Sequence, residues 1–470
     1  MNIIKSIRDE NLFKPFLADA NGDISSWSAW FTALRCLYGL AIKNPRSKQL
    51  VKECTGRDAA LLPKDGFSTA LLLTGRRSGK SRIAAIVGAY EAAMSGREKM
   101  LSAGETGMVA IIAPTKKQGR VVRNYLRSAF EQTPLLRNEV VNETAEGFLL
   151  SNGVLIEVLV GDWRAVRGYT LLAAIVDEVC FFGLDAESKV RSDSELLRAV
   201  KPSLATTGGP CICVSSPHAE RGWAYRQFKN CWGNDAGKTL VWKAPSRTMN
   251  PLLDQQIIDD AMAEDAASAR SEYYGEWRQD VQTYLPREII EQCVIKNRQD
   301  LLPRTSITYR AFCDTSGGRS DSAALAIGHR DERKIIVDFL REWPAPFNPF
   351  SIAGQMAEEL KRYHLFLVTG DAYGAEYTAG AFKSHGVSYQ PAEQNKNELY
   401  LELIGPICSK EIELPDSERL ASQLASLERK VRSGGHDLVD HPPGGKDDIA
   451  NCVAGMAACI GAKRRRAGIF

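Results

Sequence analysis

The sequence predicts a two-domain α/β protein, with a mainly parallel sheet in the first domain and a mixed sheet in the second. Two observations carry this. In the first half, short apolar runs close on turns and are followed by helical patterns, most plainly around the glycine-rich turn "TGRRSGKS", Thr74 to Ser81. In the second half, three separated apolar elements each end or begin on an aspartate. With 470 residues, 44% hydrophobic and 25% charged, the chain is long enough for two or three cores. The expected domains are 1–285 and 304–470, with 286–303 as a linker flanked by Pro286 and Pro303.

Composition excludes several classes. No apolar run approaches the ~20 residues that span a bilayer, so no membrane role is expected. The first twenty-odd residues carry Asp9, Glu10 and Asp19, unlike a signal peptide. Eleven cysteines without a C-x-x-C pair argue against a disulfide framework or a zinc site and for a reducing cytoplasm. Cys211 and Cys213 read as buried strand residues. A net charge of +3 does not by itself indicate a nucleic-acid partner. The basic tail Lys463, Arg464, Arg465, Arg466 reads as a solvated end, with a DNA clamp as the minor alternative.

The first element, Phe67 to Thr74, is an apolar strand. Ile83, Ile86, Val87, Tyr90 and Met94 then recur at helical spacing. Between them Gly79, Lys80 and Ser81 match the end of a phosphate-binding loop, while Thr74 stands where the first glycine belongs. Strand, turn and helix are the context such a loop needs, because backbone N–H groups at the helix start face the phosphates. Lys80 is expected to reach the outer phosphates and Ser81 to hold Mg²⁺. Thr74, Gly75, Arg76, Arg77 and Ser78 complete the loop. A chance G-K-S at a helix start is the rival reading.

"MVAIIAPTKKQ", from Met108, is a second buried strand and helix start. "LLAAIVDEVCFF", from Leu171, is a third strand that ends in two acids. Asp177 suits the water shell of Mg²⁺, and Glu178 the polarisation of an attacking water. "CICVSSPH", from Cys211, is another strand, closing on Ser215, Ser216 and Pro217, where hydroxyls could sense a γ-phosphate or simply turn the chain. Asn250 to Trp277 reads as helical.

From Tyr309, "YRAFCDTSGGRSDSAALAIGHR" reads as strand, turn and strand, with Asp314, Gly317 and Gly318 at the turn and Lys334–Trp343 as a third strand. "LFLVTGDAYGAEYT" sends Asp371 out of a buried strand, and "DHPPGGKDDIANCVAGMAA" opens a helix with Asp447 and Asp448. Three carboxylate stations at element ends are what a two-metal phosphodiesterase needs, and oxygen ligands suit Mg²⁺ or Mn²⁺. An acid at the end of the first strand of a meander is where an RNase H-like nuclease places a ligand. Helix capping for Asp447 and Asp448, and turn formation for Asp314 and Asp371, are the bland alternatives. Asp321 reads as an accessory acid; His441 and Lys446 get no role beyond phosphate contact.

The order of these blocks resembles the large terminase subunit of tailed bacteriophages, from about Trp27 to Gly461. "TGRRSGKS" is similar to that family's deviant loop, which lacks the first glycine and carries an arginine. The resemblance implies an N-terminal P-loop (ASCE-type) ATPase and a C-terminal RNase H-like nuclease. It implies ATP with Mg²⁺ in the first domain and two Mg²⁺ or Mn²⁺ ions at Asp314, Asp371, Asp447 and Asp448 in the second. By the same resemblance Arg76 contacts phosphate or couples hydrolysis to movement, and Arg167 in "RAVRGYT" reaches a neighbouring subunit's nucleotide, with Arg164 as the alternative. "SSP" would link hydrolysis to domain movement, and "CTGR", Cys54 to Arg57, would border the adenine. The implied activity is ATP-driven packaging of double-stranded viral DNA into a procapsid, with endonucleolytic cutting of concatemers. The implied partners are double-stranded DNA, a portal protein, a small terminase subunit and further copies in a ring, in the bacterial host cytoplasm at the procapsid portal. A helicase or repair ATPase with a nuclease, a motor whose second half only binds DNA or portal, and a nucleotide-binding protein with no DNA role remain alternatives.

Overall fold

Eight strands build the sheet of the first unit, residues 1–280: β1 (Thr69–Thr74), β2 (Gly107–Ala113), β3 (Val140–Glu143), β4 (Gly147–Leu150), β5 (Leu155–Val160), β6 (Thr170–Asp177), β7 (Cys211–Ser215) and β8 (Thr239–Ala244). The computed structural model describes residues 1–160, 166, 168–182, 193–315, 321–371, 375–430, 438–442 and 445–466. Strand order is β3-β4-β5-β2-β6-β7-β1-β8. All pairs from β5 through β8 are parallel, and only β3, β4 and β5 pair antiparallel.

The sheet is buried on both faces, which is why its strands read as continuous apolar runs rather than alternating ones. Ala70 and Leu72 of β1 enter one core with Ile83, Ile86 and Val87 of the helix Lys80–Ala93. Leu71 and Leu73 enter the other, with Leu196, Leu197 and Trp223. Cys211 and Cys213 are buried in β7, as the pattern predicts. The stretch expected as one helical segment is three helices, Ser246–Met249, Gln255–Glu264 and Ala266–Tyr274. Asp254 and Asp265 cap the second and third by accepting from backbone N–H groups.

Insertion of β7 between β1 and β6 is the feature that positions the first site. It sets the carboxyl ends of three neighbouring parallel strands side by side, and these carry the loop, Ser215–Ser216 and Asp177–Glu178.

The second unit, 281–470, adds β9 (Val281–Thr283), β10 (Tyr309–Asp314), β11 (Ala323–Asp331), β12 (Lys334–Trp343), β13 (Leu367–Gly370), β14 (Ser388–Pro391), β15 (Ile412–Glu413), β16 (Glu428–Lys430) and β17 (Leu438–Asp440). The six-stranded mixed sheet has the order β14-β13-β10-β11-β12-β15, and β17-β16-β9 forms a small antiparallel sheet. β10, β11 and β12 are an antiparallel meander, while β13 returns parallel to β10. The helix Asp448–Arg466 packs on the meander through small residues: Gly455 lies on the Phe312 ring, and a Cβ at Gly328 would stand 2.5 Å from Met456 Sδ. The helix Pro349–Arg362 covers the other face through Met356, Ala357 and Leu360.

The expected domain edges need correction. The division falls between Asp280 and Val281, and 286–303 is no free linker. Its helix Arg287–Glu291 contributes Ile290, and Cys293 follows, to the core of the second unit. The two prolines mark a helix start and a loop, because proline suits both.

Candidate active sites

In the first unit Thr74 explains why the loop dispenses with its first glycine. Its hydroxyl lies 2.9 Å from the Ser78 hydroxyl, so the last strand residue ties the loop across its own mouth. Its carbonyl accepts from Lys80 Nζ at 3.1 Å and from Ser216 Oγ at 3.3 Å. Gly79 is not replaceable in this way: its φ is 92°, and a Cβ there would stand 2.6 Å from the Trp27 ring. Trp30 donates its indole N–H to the Ser78 carbonyl at 2.7 Å. Asn250 donates to the Arg77 carbonyl at 2.9 Å. Arg77 itself has a φ of 63°, a left-handed conformation that costs energy outside glycine.

Lys80 is buried at the centre of the site. Its ammonium donates to Ser216 Oγ at 2.9 Å and lies 3.7 Å from Glu178 Oε1. Ser216 N and Ser215 Oγ both donate to Glu178 Oε2, at 3.3 and 3.2 Å. Ser81 Oγ donates to Asp177 Oδ2 at 3.4 Å. The other Asp177 oxygen is buried without a hydrogen-bond partner, a cost that a bound cation would remove. Burial first, then the Glu178 charge, raise the Asp177 pKa. Glu178 holds a left-handed backbone, φ 51°, which is the kind of strain found at functional sites.

A cleft of about 520 Å³ opens on this group, with Trp27, Tyr125, Met249 and Leu252 among its walls. These apolar side chains stand next to the loop. "CTGR" does not border the cleft: Arg57 is buried and donates to the carbonyls of Cys231, Gly237 and Thr239. It is a structural tie. Arg76 lines the cleft but pairs with Glu272 at 3.0 Å, an acid the sequence did not single out. Arg164 and Arg167 lie outside the described residues.

In the second unit, Asp314 ends β10 and Asp371 follows β13. The pairing of Cys313 with Gly370 on the neighbouring parallel strand brings these two acids side by side. Asp448 starts the long helix packed on the same strands. Asn451, one turn further, donates to Asp314 Oδ2 at 2.7 Å. Burial pushes the Asp314 pKa up to about 7 despite that bond, with the charges of Asp448, Asp371 and Asp447 adding to it. Asp448 is pushed up to about 6, first by burial and then by Asp447, Glu342 and Asp321. Its Oδ2 is buried with no hydrogen-bond partner.

Asp447 is differently placed. Lys396 Nζ lies 2.7 Å from one of its oxygens, and Tyr400 donates to the same oxygen at 2.8 Å. Asp447 is buried against these two partners, while the charges of both Asp447 and Asp448 act on Asp314. Lys446 favours the charged form of Asp448, and His441 Nε2 lies 4.0 Å from Asp447. Gly317 and Gly318 lie outside the described residues. Among the described residues, no three acids or other donors converge closely enough to enclose an ion as they stand. The donor chemistry, hard oxygens with an orphaned buried carboxylate atom, nevertheless fits Mg²⁺ or Mn²⁺. Asn451, Lys396 and Tyr400 were missed in the sequence; only Asn451 left a signal, three residues after Asp448 on one helix face.

No protein-family model matches the chain, and no curated protein matches it. Among solved structures, the HK97 bacteriophage large terminase is similar over 89% of this chain and 95% of its own, at 14% identity and a TM-score of 0.39. The large terminase of a thermophilic bacteriophage is similar over 84% of this chain and 94% of its own, at 11% identity and a TM-score of 0.37. The large terminase nuclease of thermophilic phage G20c with bound magnesium is similar over 34% of this chain and 92% of its own, at 16% and 0.30. Along most of its length, then, the structural neighbours of this chain are phage large terminases.

Proposed function

We propose that the chain is an ATP-driven motor for double-stranded DNA fused to a metal-dependent endonuclease, packaging viral DNA into a procapsid and cutting concatemers. The observation that carries the motor half is the convergence of Lys80, Ser81, Ser216, Asp177 and Glu178 on three adjacent strand ends below a cleft. Backbone N–H groups of the loop and Lys80 bind the phosphates of ATP. Glu178, held by Ser215 and Ser216, orients and deprotonates the attacking water. A γ-phosphate entering the site displaces the Lys80–Glu178 contact, which frees Glu178 for that role. Ser81 and Asp177 would hold Mg²⁺, which neutralises the charge developing on the phosphates. Trp27 and Tyr125 flank the base.

In the nuclease half, Asp314, Asp371 and Asp448 would hold two Mg²⁺ or Mn²⁺ ions, which supply a nucleophilic water and stabilise the leaving oxygen. Asn451 orients Asp314, and Lys396 with Tyr400 fixes Asp447 behind Asp448. The assigned partners are double-stranded DNA, a portal protein, a small terminase subunit and further copies of the chain in a ring, with the bacterial cytoplasm as the setting. No described helix is long and apolar enough to cross a membrane.

The deciding experiment is supercoiled plasmid cleavage with Mn²⁺ or Mg²⁺, comparing the parent with Asp314→Ala. Metal-dependent cutting lost in the variant supports the reading. A second reading, in which this half only docks DNA or a portal, is favoured by one observation: the acids do not close around an ion as they stand. It predicts no cutting with either metal.

A further inference from the structure

The second unit carries a basic cavity that has no part in either site. The helix Asp448–Arg466 runs along β10 from Asp448, beside Asp314, past Gly455 on Phe312, to Cys459 and Ile460. There, at the end of the strands away from the acids, lies a cavity of about 570 Å³. Its walls include Arg310 of β10 and Arg330 and Arg333 of the β11–β12 turn, with Cys459 and Ile460 from the helix.

Three features separate this cluster from an ordinary charged surface. Nearby cations have acids, since Lys334 and Arg298 share Glu413. Among the described residues no ion pair engages Arg310, Arg330 or Arg333, and the hydrogen bonds of Arg310 and Arg330 go to the carbonyls of Tyr309 and Arg333. One carboxylate, Glu332, lines the cavity, so the wall stays net positive.

We propose that this cavity is a phosphate-backbone site for duplex DNA, separate from the acids at the other end of the strands. Guanidinium forks match phosphate oxygens. Three guanidiniums, from β10, from the end of β11 and from the turn after it, match a polyanion rather than one phosphate. No aromatic side chain lines the cavity, so nothing there stacks bases, which points to a paired strand. The site grips the duplex without reading its sequence and rests on the DNA-handling function proposed above.

The test is fluorescence anisotropy of a labelled duplex with the full chain in EDTA, across a salt series. Arg330→Glu with Arg333→Glu is expected to weaken binding about tenfold and to flatten the salt slope by about two. Arg310→Glu should act in the same direction. Arg330 and Arg333 are exposed, so the double variant's melting curve should not move. Affinity within twofold of the parent and an unchanged slope overturn the site while leaving the proposed function standing. No duplex binding by the parent overturns both. A melting-temperature rise with inorganic phosphate that the double variant loses, at unchanged duplex affinity, makes the cavity a small-anion site and also overturns it.

Discussion

The hydroxyls of Thr74 and Ser78 stand 2.9 Å apart, closing the loop at the position where the general phosphate-binding motif has glycine. Restoring the glycine should therefore harm the loop. Thr74→Gly removes that bond, adds backbone freedom at the end of a buried strand, and should cost about 1–2 kcal/mol. It should also raise KM for ATP several-fold at nearly unchanged kcat, because the loop must be ordered on binding. Thr74→Ser keeps the hydroxyl and should behave as the parent. Calorimetry and steady-state ATPase assays check both; a Thr74→Gly enzyme with parental KM would remove the tie from the account.

Glu178 is held by Ser215, Ser216 and Lys80, three groups that a glutamine can still meet in part. Glu178→Gln keeps the shape and removes the proposed base. It should bind a nonhydrolysable ATP analogue within a few-fold of the parent while kcat falls about 100-fold or more. Isothermal titration and phosphate-release kinetics separate the two effects. Normal turnover in that variant would refute the assigned role.

How much of this was legible in the sequence follows from physical locality. The loop, the acids after β6 and the carboxylates at element ends are short-range patterns, since a strand delivers its last residue to a sheet edge whatever lies around it. Arg57 was singled out only through the family resemblance, and its three carbonyl partners, 174, 180 and 182 residues away, are invisible to any local pattern. Trp27 and Trp30 carry no local motif; their meeting with the loop is a tertiary fact. The same holds for Glu272 opposite Arg76. Residues 286–303 read as linker because prolines flank them, yet Ile290 and Cys293 are buried. Local punctuation does not report which core a segment joins.

Asp447 and Asp448 are adjacent in sequence but should part company when mutated. Asp447→Asn loses the Lys396 ion pair and leaves that ammonium beside a neutral group, which should cost about 1–3 kcal/mol. Cutting should persist within a few-fold. Asp448→Asn removes a carboxylate crowded by other acids, so the second unit should melt no earlier, while metal-dependent cutting is lost. Plasmid assays beside calorimetry decide it. Loss of cutting in Asp447→Asn without loss of stability would move the ligand assignment to Asp447.

The raised pKa of Asp314 makes a signed prediction for the metal-free protein. Its carboxyl titrates near 3.8 when unfolded and at about 7 when folded. Between these values the folded state keeps a proton that the unfolded state has released, so stability from this group falls as pH rises from about 4 through 7 and then levels. Asp314→Asn removes the titration. In EDTA, the variant's melting temperature should match the parent's near pH 4 and exceed it by several degrees at pH 8. Mg²⁺ at pH 8 should raise the parent and not the variant, because a cation takes the place of the proton. At pH 5, where the carboxyl is protonated, the ion should do little. Calorimetry across pH, with and without Mg²⁺, supplies all of these readings. A parent that gains on the variant as pH rises, metal absent, would mean that Asp314 has a cationic partner rather than a cluster of acids around it.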